Sequence, residues 1–163
     1  MQFEIKGKIN NNSITEFEIE YDIDLPSIYK EFLKEQNGGT LDDLYIYLNK
    51  EDEYVVESFL GIKNDLEYID LSENYMNLQK RLPKSYFPIA IDGGGNYYLL
   101  KLGTKKASIY FWDHNLQSTA TNSIGLKKIA NSFNDFIENI KLDEVDIKVK
   151  IVRTNGSIIL SAE

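Results

Sequence analysis

The sequence contains no cysteine, a single histidine, three prolines and one tryptophan. Without cysteine, the chain has no disulfide framework, no thiolate metal site and no nucleophile for a cysteine–histidine pair. It also has no apolar run of about 18 residues that could span a membrane, and no apolar stretch near its first residues that would suggest a signal peptide. These absences favour a soluble, cytoplasmic protein.

Basic residues are in the minority, because 18 Lys and Arg residues face 26 Asp and Glu residues, for a formal net charge of −8. Contacts with phosphate groups need a basic face, so nucleic acid is not expected as a direct partner. A membrane is not expected either, because no apolar run is long enough to span it. The surplus of carboxylates either keeps the protein in solution or attracts a basic partner, and the sequence leaves both interpretations open.

The chain does contain enough apolar material for one core. Its 163 residues are 42% hydrophobic and include 11 Tyr and 8 Phe, which argues against disorder. No internal repeat, low-complexity segment or linker interrupts it, so a single domain over residues 1–163 is predicted.

Three short apolar and aromatic runs between Phe87 and His114 predict adjacent antiparallel strands in the middle of a sheet. The first two are separated by three glycines and Asn96, which favour a turn with Gly94 or Gly95 at positive φ. A phosphate-binding loop is the alternative. It is disfavoured, because such a loop leads into a helix whereas a strand follows here, and because Asp92 would repel phosphate.

Hydrophobic periodicity and turn residues predict the remaining elements. The segment Ile14–Tyr21 fits both a strand and a helix, and we choose the helix, with Ser13 and Glu16 as a capping box. The other predicted helices are one that starts at Pro26 or Ser27 and stops at Asn37-Gly38-Gly39, one from Leu66, capped by Asp65 or Asn64, to about Leu82, and one from Leu126 to Ile140. The other predicted strands are an edge strand around Phe3 and Ile5, Leu44 to Leu48, Tyr54 to Leu60, and a closing hairpin that turns at Asn155-Gly156.

Five blocks of residues, in order and with sensible spacing, resemble the SUKH superfamily of bacterial immunity proteins, which is related to a fungal regulator of cell-wall synthesis. The similarity extends from about Ile14 to Ile140. The blocks are Glu18 followed by Leu25-Pro26 with Tyr29, Phe32 and Leu33; Asn37-Gly38-Gly39; Phe59-Leu60-Gly61-Ile62; Pro88-Ile89-Ala90 with Asp92-Gly93-Gly94-Gly95-Asn96; and Tyr110-Phe111-Trp112-Asp113-His114.

The resemblance implies an α+β fold, in which helices pack around a central and mostly antiparallel sheet. It also implies a cytoplasmic protein that neutralises a cognate polymorphic toxin, often a nuclease, without enzymatic activity, cofactor or metal. The shared motif residues are then structural, whereas the toxin-binding surface differs between members. The residues assigned to the structural motif are Leu25, Pro26, Tyr29, Phe32, Asn37, Gly38, Gly39, Gly94, Gly95, Trp112, Asp113 and His114.

An immunity protein needs an acidic surface with aromatic anchors for a basic toxin cleft. Acidic and aromatic residues at predicted strand ends and turns are therefore our candidates for partner contact, although each could equally be solvated or packed in the core. They are Asp42, Asp43, Tyr45, Glu51, Asp52, Glu53, Tyr54, Asp92, Asn96 and Tyr97. The alternatives are a non-catalytic interaction scaffold and a small hydrolase that uses Asp92, Asp113 and His114.

Overall fold

The computed structural model describes residues 9–49, 52–116, 125–142, 149–154 and 157–162. Within these ranges the chain forms helices and a curled antiparallel sheet, which confirms the predicted α+β class. In chain order the elements are α1 (Asn11–Tyr21), α2 (Ser27–Glu35), β1 (Gly39–Asn49), β2 (Asp52–Phe59), a 3-10 helix (Glu67–Ile69), α3 (Leu71–Gln79), β3 (Tyr86–Ile91), β4 (Tyr97–Lys101), β5 (Ile109–Trp112), β6 (Leu126–Ala130), α4 (Phe133–Glu138), β7 (Ile140–Leu142), β8 (Val149–Thr154) and β9 (Ser157–Ala162). Among the described residues, no helix is long and apolar enough to cross a membrane.

Seven strands form one antiparallel sheet in the order β6-β5-β4-β3-β2-β1-β7. The three runs predicted as central strands are β3, β4 and β5, and they are neighbours in the middle of this sheet. The sheet curls so strongly that strands β1 and β6 approach each other across its concave face. There the hydroxyl of Tyr47 on β1 donates a 2.8 Å hydrogen bond to the carbonyl oxygen of Ile129 on β6. The curl closes the sheet around the main core.

The central strands are buried on both faces. Tyr98 on β4 points into the main core, whereas its neighbour Leu99 packs with Trp112 in a smaller cluster on the convex face. Leu78 of α3 and Leu82 just after it cover this smaller cluster. Burial on both faces explains why these strands appear in the sequence as continuous apolar runs rather than as an alternation.

The ambiguous segment near the start of the chain is helix α1, as predicted, because a helix buries both Ile14 and Phe17. The capping box predicted at Ser13 and Glu16 is wrong. The helix begins earlier, and the side-chain oxygen of Asn10 caps it by accepting a 3.0 Å hydrogen bond from the backbone N–H of Ser13.

The predicted helix α2 is confirmed and begins at Ser27, directly after Pro26. The turn before it is fixed by Glu18 on α1, whose carboxylate accepts the backbone N–H of Leu25 at 2.7 Å. The same carboxylate oxygen lies 2.7 Å from the Lys30 ammonium. This hydrogen bond is the main cause that raises the pKa of Lys30. Glu18 therefore joins α1, the turn and α2.

The single helix predicted from Leu126 to Ile140 is wrong. Residues Leu126–Ala130 are edge strand β6, which pairs with β5, and β7 begins at Ile140 and pairs with β1. Only Phe133–Glu138 form a helix, α4. Ser132 caps its start by accepting the backbone N–H of Asp135 at 3.1 Å. Pairing with neighbouring strands overrides a helical spacing of apolar residues here.

The helix predicted from Leu66 is shorter than expected. A 3-10 helix occupies Glu67–Ile69, and α3 begins only at Leu71. The predicted caps Asn64 and Asp65 are therefore wrong, and Asp70 is the cap, since its carboxylate accepts the backbone N–H of Glu73 at 3.1 Å.

The predicted closing hairpin is confirmed in its pairing. Strands β8 and β9 are antiparallel, and the pair Thr154 and Ser157 leaves two residues for the turn, as the Asn155-Gly156 signal predicts. The turn itself and the edge strand predicted around Phe3 and Ile5 lie outside the described residues.

Two backbone segments touch where α2 leads into β1 and where β2 leads toward α3. The buried side chain of Asn37 donates to the carbonyl oxygen of Ile62 at 2.8 Å and accepts its N–H at 2.9 Å. A Cβ on Gly61 would lie 2.2 Å from the carbonyl oxygen of Asn37, and a Cβ on Gly38 would lie 2.6 Å from the nitrogen of Gly61. Glycine is required at both positions because the backbones are in contact.

We expect Gly61→Ala to lower the free energy of unfolding by ~3 kcal/mol, because the new methyl group must displace backbone atoms rather than a mobile side chain. Urea denaturation measures the change. The matched control is Gly103→Ala, where φ is +73° but nothing lies within 4 Å of the new Cβ, so the cost is limited to about 1 kcal/mol of backbone strain. Equal losses in both variants would contradict the close approach.

Candidate partner-binding surface

Three connections of the sheet lie at one end of the molecule. The pair Ser58 and Ile91 shows that the start of β2 extends past the end of β3, beside the β3–β4 turn. The pair Tyr97 and Trp112 places the chain after β5 on the other side of that turn. Carboxylates concentrate at this end, which we call the acidic rim. Its members are Asp52, Glu53, Glu57, Asp92 and Asp113.

The β3–β4 turn is folded around the carboxylate of Asp92. One carboxylate oxygen accepts the backbone N–H groups of Gly94 at 2.9 Å and Asn96 at 2.8 Å, and the other accepts the Asn96 side-chain amide at 2.8 Å. Gly95 has a φ of +85°, which glycine adopts without steric cost. The turn leads into strand β4 and not into a helix, and the Asp92 carboxylate at the centre of the turn would repel phosphate. The structural turn is therefore confirmed, and the phosphate-loop alternative is not.

The lone histidine is held by its neighbours at the rim. The side-chain oxygen of Asn96 accepts the backbone N–H of His114 at 3.1 Å and lies 3.0 Å from its Nδ1. Arg81 donates to the backbone carbonyl of His114 at 2.6 Å, and its guanidinium lies 4.5 Å from the centre of the Trp112 ring. These contacts fix the position of the chain after β5 relative to the glycine turn.

The three residues of the hydrolase alternative make contacts of a structural kind. Asp92 accepts hydrogen bonds within its own turn, and Asp113 accepts the backbone and side-chain N–H groups of Asn115 at 2.9 and 3.1 Å. Within the described part of the chain, no three His, Cys, Asp or Glu side chains are grouped so that they could hold a metal ion.

Tyr97 connects the glycine turn to helix α3. Its hydroxyl donates a 2.8 Å hydrogen bond to the side-chain oxygen of Asn74, whose amide donates to the carbonyl of Asp70 at 2.7 Å. Burial is the main cause that raises the pKa of Tyr97, so the phenol stays protonated and acts as a donor. Of the candidate contact residues, Asn96 and Tyr97 therefore connect the rim to neighbouring parts of the fold, Asn96 to His114 and Tyr97 to α3.

Two of the aromatic candidates are part of the main core. Tyr45 and Tyr54 are each only 7% exposed, and the ring of Tyr54 lies 4.9 Å from that of Phe111. The neighbouring hydroxyl of Tyr98 donates at 2.6 Å to the carbonyl oxygen of Val55. These aromatic residues support β2 from the concave side.

The remaining acidic candidates lie on or near the β1–β2 hairpin. Strand β1 begins at Gly39 rather than Leu44, and it contains a bulge in which residues 41–44 face the single residue Glu57 of β2. Asp42 and Asp43 belong to this bulge, and their side chains lie outside what the structure describes, as does all of Glu51. Asp52 and Glu53 are exposed at the start of β2.

Sequence reasoning missed Glu57 and Val55. The carboxylate of Glu57 lies over the glycine turn, since a Cβ on Gly93 would meet it at 2.9 Å. Val55 is 39% exposed between the two exposed glutamates of β2. The available signal was the two-residue period of a strand, which places Glu53, Val55 and Glu57 on one face and Tyr54 and Val56 on the other. The rim thus offers an aliphatic contact among its carboxylates.

The rim carries little compensating positive charge. Lys127 lies 2.7 Å from Asp52, but both side chains are about half exposed, and such pairs contribute little to stability. The other four carboxylates of the rim form no ion pair with any described residue. Among the described residues, the negative charge of these four carboxylates therefore has no cationic partner.

We expect Asn96→Ala to lower the free energy of unfolding by about 2 kcal/mol, because the partly buried Asp92 and His114 groups lose their partners. Urea denaturation gives the change, and the His114 ring signals in the NMR spectrum should shift. The control is Asn115→Ala, which removes an exposed side chain whose hydrogen bond to the described part of the chain is with Asp113, and it should change stability by less than ~0.5 kcal/mol. Similar losses would show that Asn96 does not organise the rim.

The chain is similar in sequence to a known protein family and to a bacterial protein. The sequence model of the SMI1 / KNR4 family (SUKH-1) matches residues 8–139. The chain is also similar to the SPbeta prophage-derived uncharacterized protein YokK of Bacillus subtilis (strain 168). The two are 29% identical over 174 residues, which cover 93% of this chain and 87% of that protein.

Proposed function

Because the chain belongs to the SMI1 / KNR4 family (SUKH-1), we propose that it is an immunity protein that binds and neutralises a cognate toxin domain in the bacterial cytoplasm. Membership agrees with the resemblance that the sequence motifs predict. The family is generally non-catalytic, so the protein acts by occupying the toxin rather than by modifying it. The similarity to a prophage-derived bacterial protein supports the bacterial setting.

The acidic rim is the observation that carries this proposal. A toxin domain that cleaves nucleic acid needs a basic cleft for phosphate groups. A rigid surface with several uncompensated carboxylates is complementary to such a cleft and competes with its substrate. The partner in this proposal is therefore a basic toxin domain of the nuclease type.

The parts of the rim have different roles in this complex. Glu53, Glu57 and Asp92 face the basic groups of the toxin, and Val55 provides an apolar contact among them. When the toxin binds, Asp52 leaves its exposed ion pair with Lys127 and pairs with a cationic group of the toxin. The predicted contacts of Asp42, Asp43 and Glu51 extend the same surface along the β1–β2 hairpin, whereas Tyr45, Tyr54, Asn96 and Tyr97 keep it rigid.

The proposal is tested first by capture. The tagged protein is used as bait in cells that express the toxin, and mass spectrometry identifies what it retains. The retained domain is then expressed with or without this chain, and growth is measured. We expect one toxin domain to be captured and growth to be restored by this chain. Absence of any toxin domain from the captured material would contradict the immunity function and favour the scaffold alternative.

The surface is tested by charge reversal. We expect Glu53→Lys with Glu57→Lys to slow association with the captured domain at least ~10-fold at low salt and to reduce its salt dependence, because electrostatic steering acts on the encounter. Stopped-flow kinetics measure the rate. The control is Glu20→Lys with Glu35→Lys, which changes net charge equally at exposed positions on α1 and α2.

The wild-type association rate should itself fall as salt is added. If both double variants slow association equally, net charge rather than the rim steers the toxin. If neither does, the contact surface lies elsewhere.

A further inference from the structure

A second charged surface lies on the convex face of the sheet, at the end of β4 away from the acidic rim. It consists of Tyr86, Lys101, Tyr110 and Lys128, and we call it the lysine–tyrosine face. Tyr86 is the direct partner of Lys101, and Tyr110 is the direct partner of Lys128. Leu99 links the two pairs, because it is the partner of Tyr110 and lies two residues before Lys101. Alternate residues of a strand share a face, so all four side chains emerge together.

Lys101 is the centre of this face. Its ammonium lies 3.7 Å from the centre of the Tyr86 ring and donates to the hydroxyl oxygen of Ser85 at 2.6 Å. Tyr110 meets the ring of Tyr86 edge-on, with the ring centres 5.2 Å apart. Burial lowers the pKa of Lys101. The cation has thus lost part of its hydration, and both of its polar contacts are with neutral groups.

The face is not balanced by acidic side chains. Five lysines lie on it or beside it, and none of them forms an ion pair with a described residue. They are Lys84, Lys101, Lys105, Lys106 and Lys128. The carboxylate of Asp24 lines an open cavity of about 370 Å³ together with Lys105, but the two form no ion pair. In a chain with a net charge of −8, such a cationic area needs an explanation other than solubility.

We propose that the lysine–tyrosine face is a second interaction surface, which binds an acidic segment of a partner protein. A carboxylate of the partner would form an ion pair with the Lys101 ammonium, whose present contacts are with neutral groups. The two tyrosines provide the flat, rigid contact area that is common in protein interfaces. The lysines around them attract the remaining negative charges of the segment. This surface is distinct from the acidic rim and does not depend on the toxin.

The geometry favours a polypeptide over the other anionic partners. Nucleic-acid strands bind by stacking bases on open aromatic rings, but Lys101 and Tyr110 already cover the ring of Tyr86. Insertion into a membrane needs exposed apolar side chains. None of the exposed large hydrophobic residues found in the described ranges belongs to this face. They are Ile19, Ile28, Val55, Tyr68, Met76 and Leu116.

The test uses the whole protein and a fluorescent peptide of alternating Glu and Ser. Fluorescence anisotropy at low salt measures its binding, with a peptide of Gln and Ser as the uncharged control. We expect Lys128→Glu to weaken binding at least ~10-fold. Lys141→Glu makes the same charge change at an exposed position on the opposite edge strand, and it should weaken binding no more than about twofold. Lys101→Met, which keeps the apolar stem over Tyr86, should also weaken binding while the melting temperature stays close to that of the wild type.

Three results would overturn the proposal. Equal weakening by Lys128→Glu and Lys141→Glu would mean that the peptide senses only net charge. Tighter binding of an oligothymidine or of phosphatidylserine vesicles than of the acidic peptide would assign the face to another class of ligand. Analytical ultracentrifugation could also show that the wild type self-associates and that Lys128→Glu does not. The face would then bind the acidic rim of a second copy of this chain instead of another protein.

Discussion

The fold depends on a contact between two backbone segments that have no room for side chains. Gly61 packs against the carbonyl of Asn37, and the Asn37 side chain takes the place of a strand partner for Ile62. The Gly61 carbonyl also accepts the N–H of Leu71 at the start of α3. Helix α2, the entry to β1, the exit from β2 and helix α3 therefore meet at one point. Each net hydrogen bond stabilises the fold by only about 1 kcal/mol, but a buried donor or acceptor without a partner costs more.

The antiparallel order of the strands decides at which end of the sheet the charges lie. Successive antiparallel connections alternate between the two ends of a sheet, so the β1–β2 hairpin, the glycine turn and the chain after β5 share one end. All three carry carboxylates, whereas the α3–β3 and β4–β5 connections carry lysines. A chain with a net charge of −8 is thereby divided into an acidic rim and a cationic area. Hydrogen bonds from Asn96 and Tyr97 connect the glycine turn of the rim to the chain after β5 and to α3.

Much of this could be predicted from the sequence because the interactions are local. The glycine turn follows from residues that tolerate positive φ, and helix α2 follows from its apolar face after Pro26. The segment from Leu126 to Ile140 could not be predicted in the same way. Its helical spacing is real in α4, but the residues before and after α4 gain more from pairing with β5 and β1. Propensity is a weak guide wherever a free strand edge is near.

The sequence by itself determined the α+β class, the family, the three central strands and the acidic character. The strands and the acidic character depend on composition, periodicity and turn chemistry, which act between neighbours in the chain. The family follows from its motif residues, and the α+β class follows from the resemblance to that family. Only the tertiary structure decided that Tyr54 is buried while Glu57 lies over Gly93, and that Lys101 and Lys128 share one face. These placements depend on strand register and on the curl of the sheet. A shift of one residue in register would move every side chain of a strand to the other face.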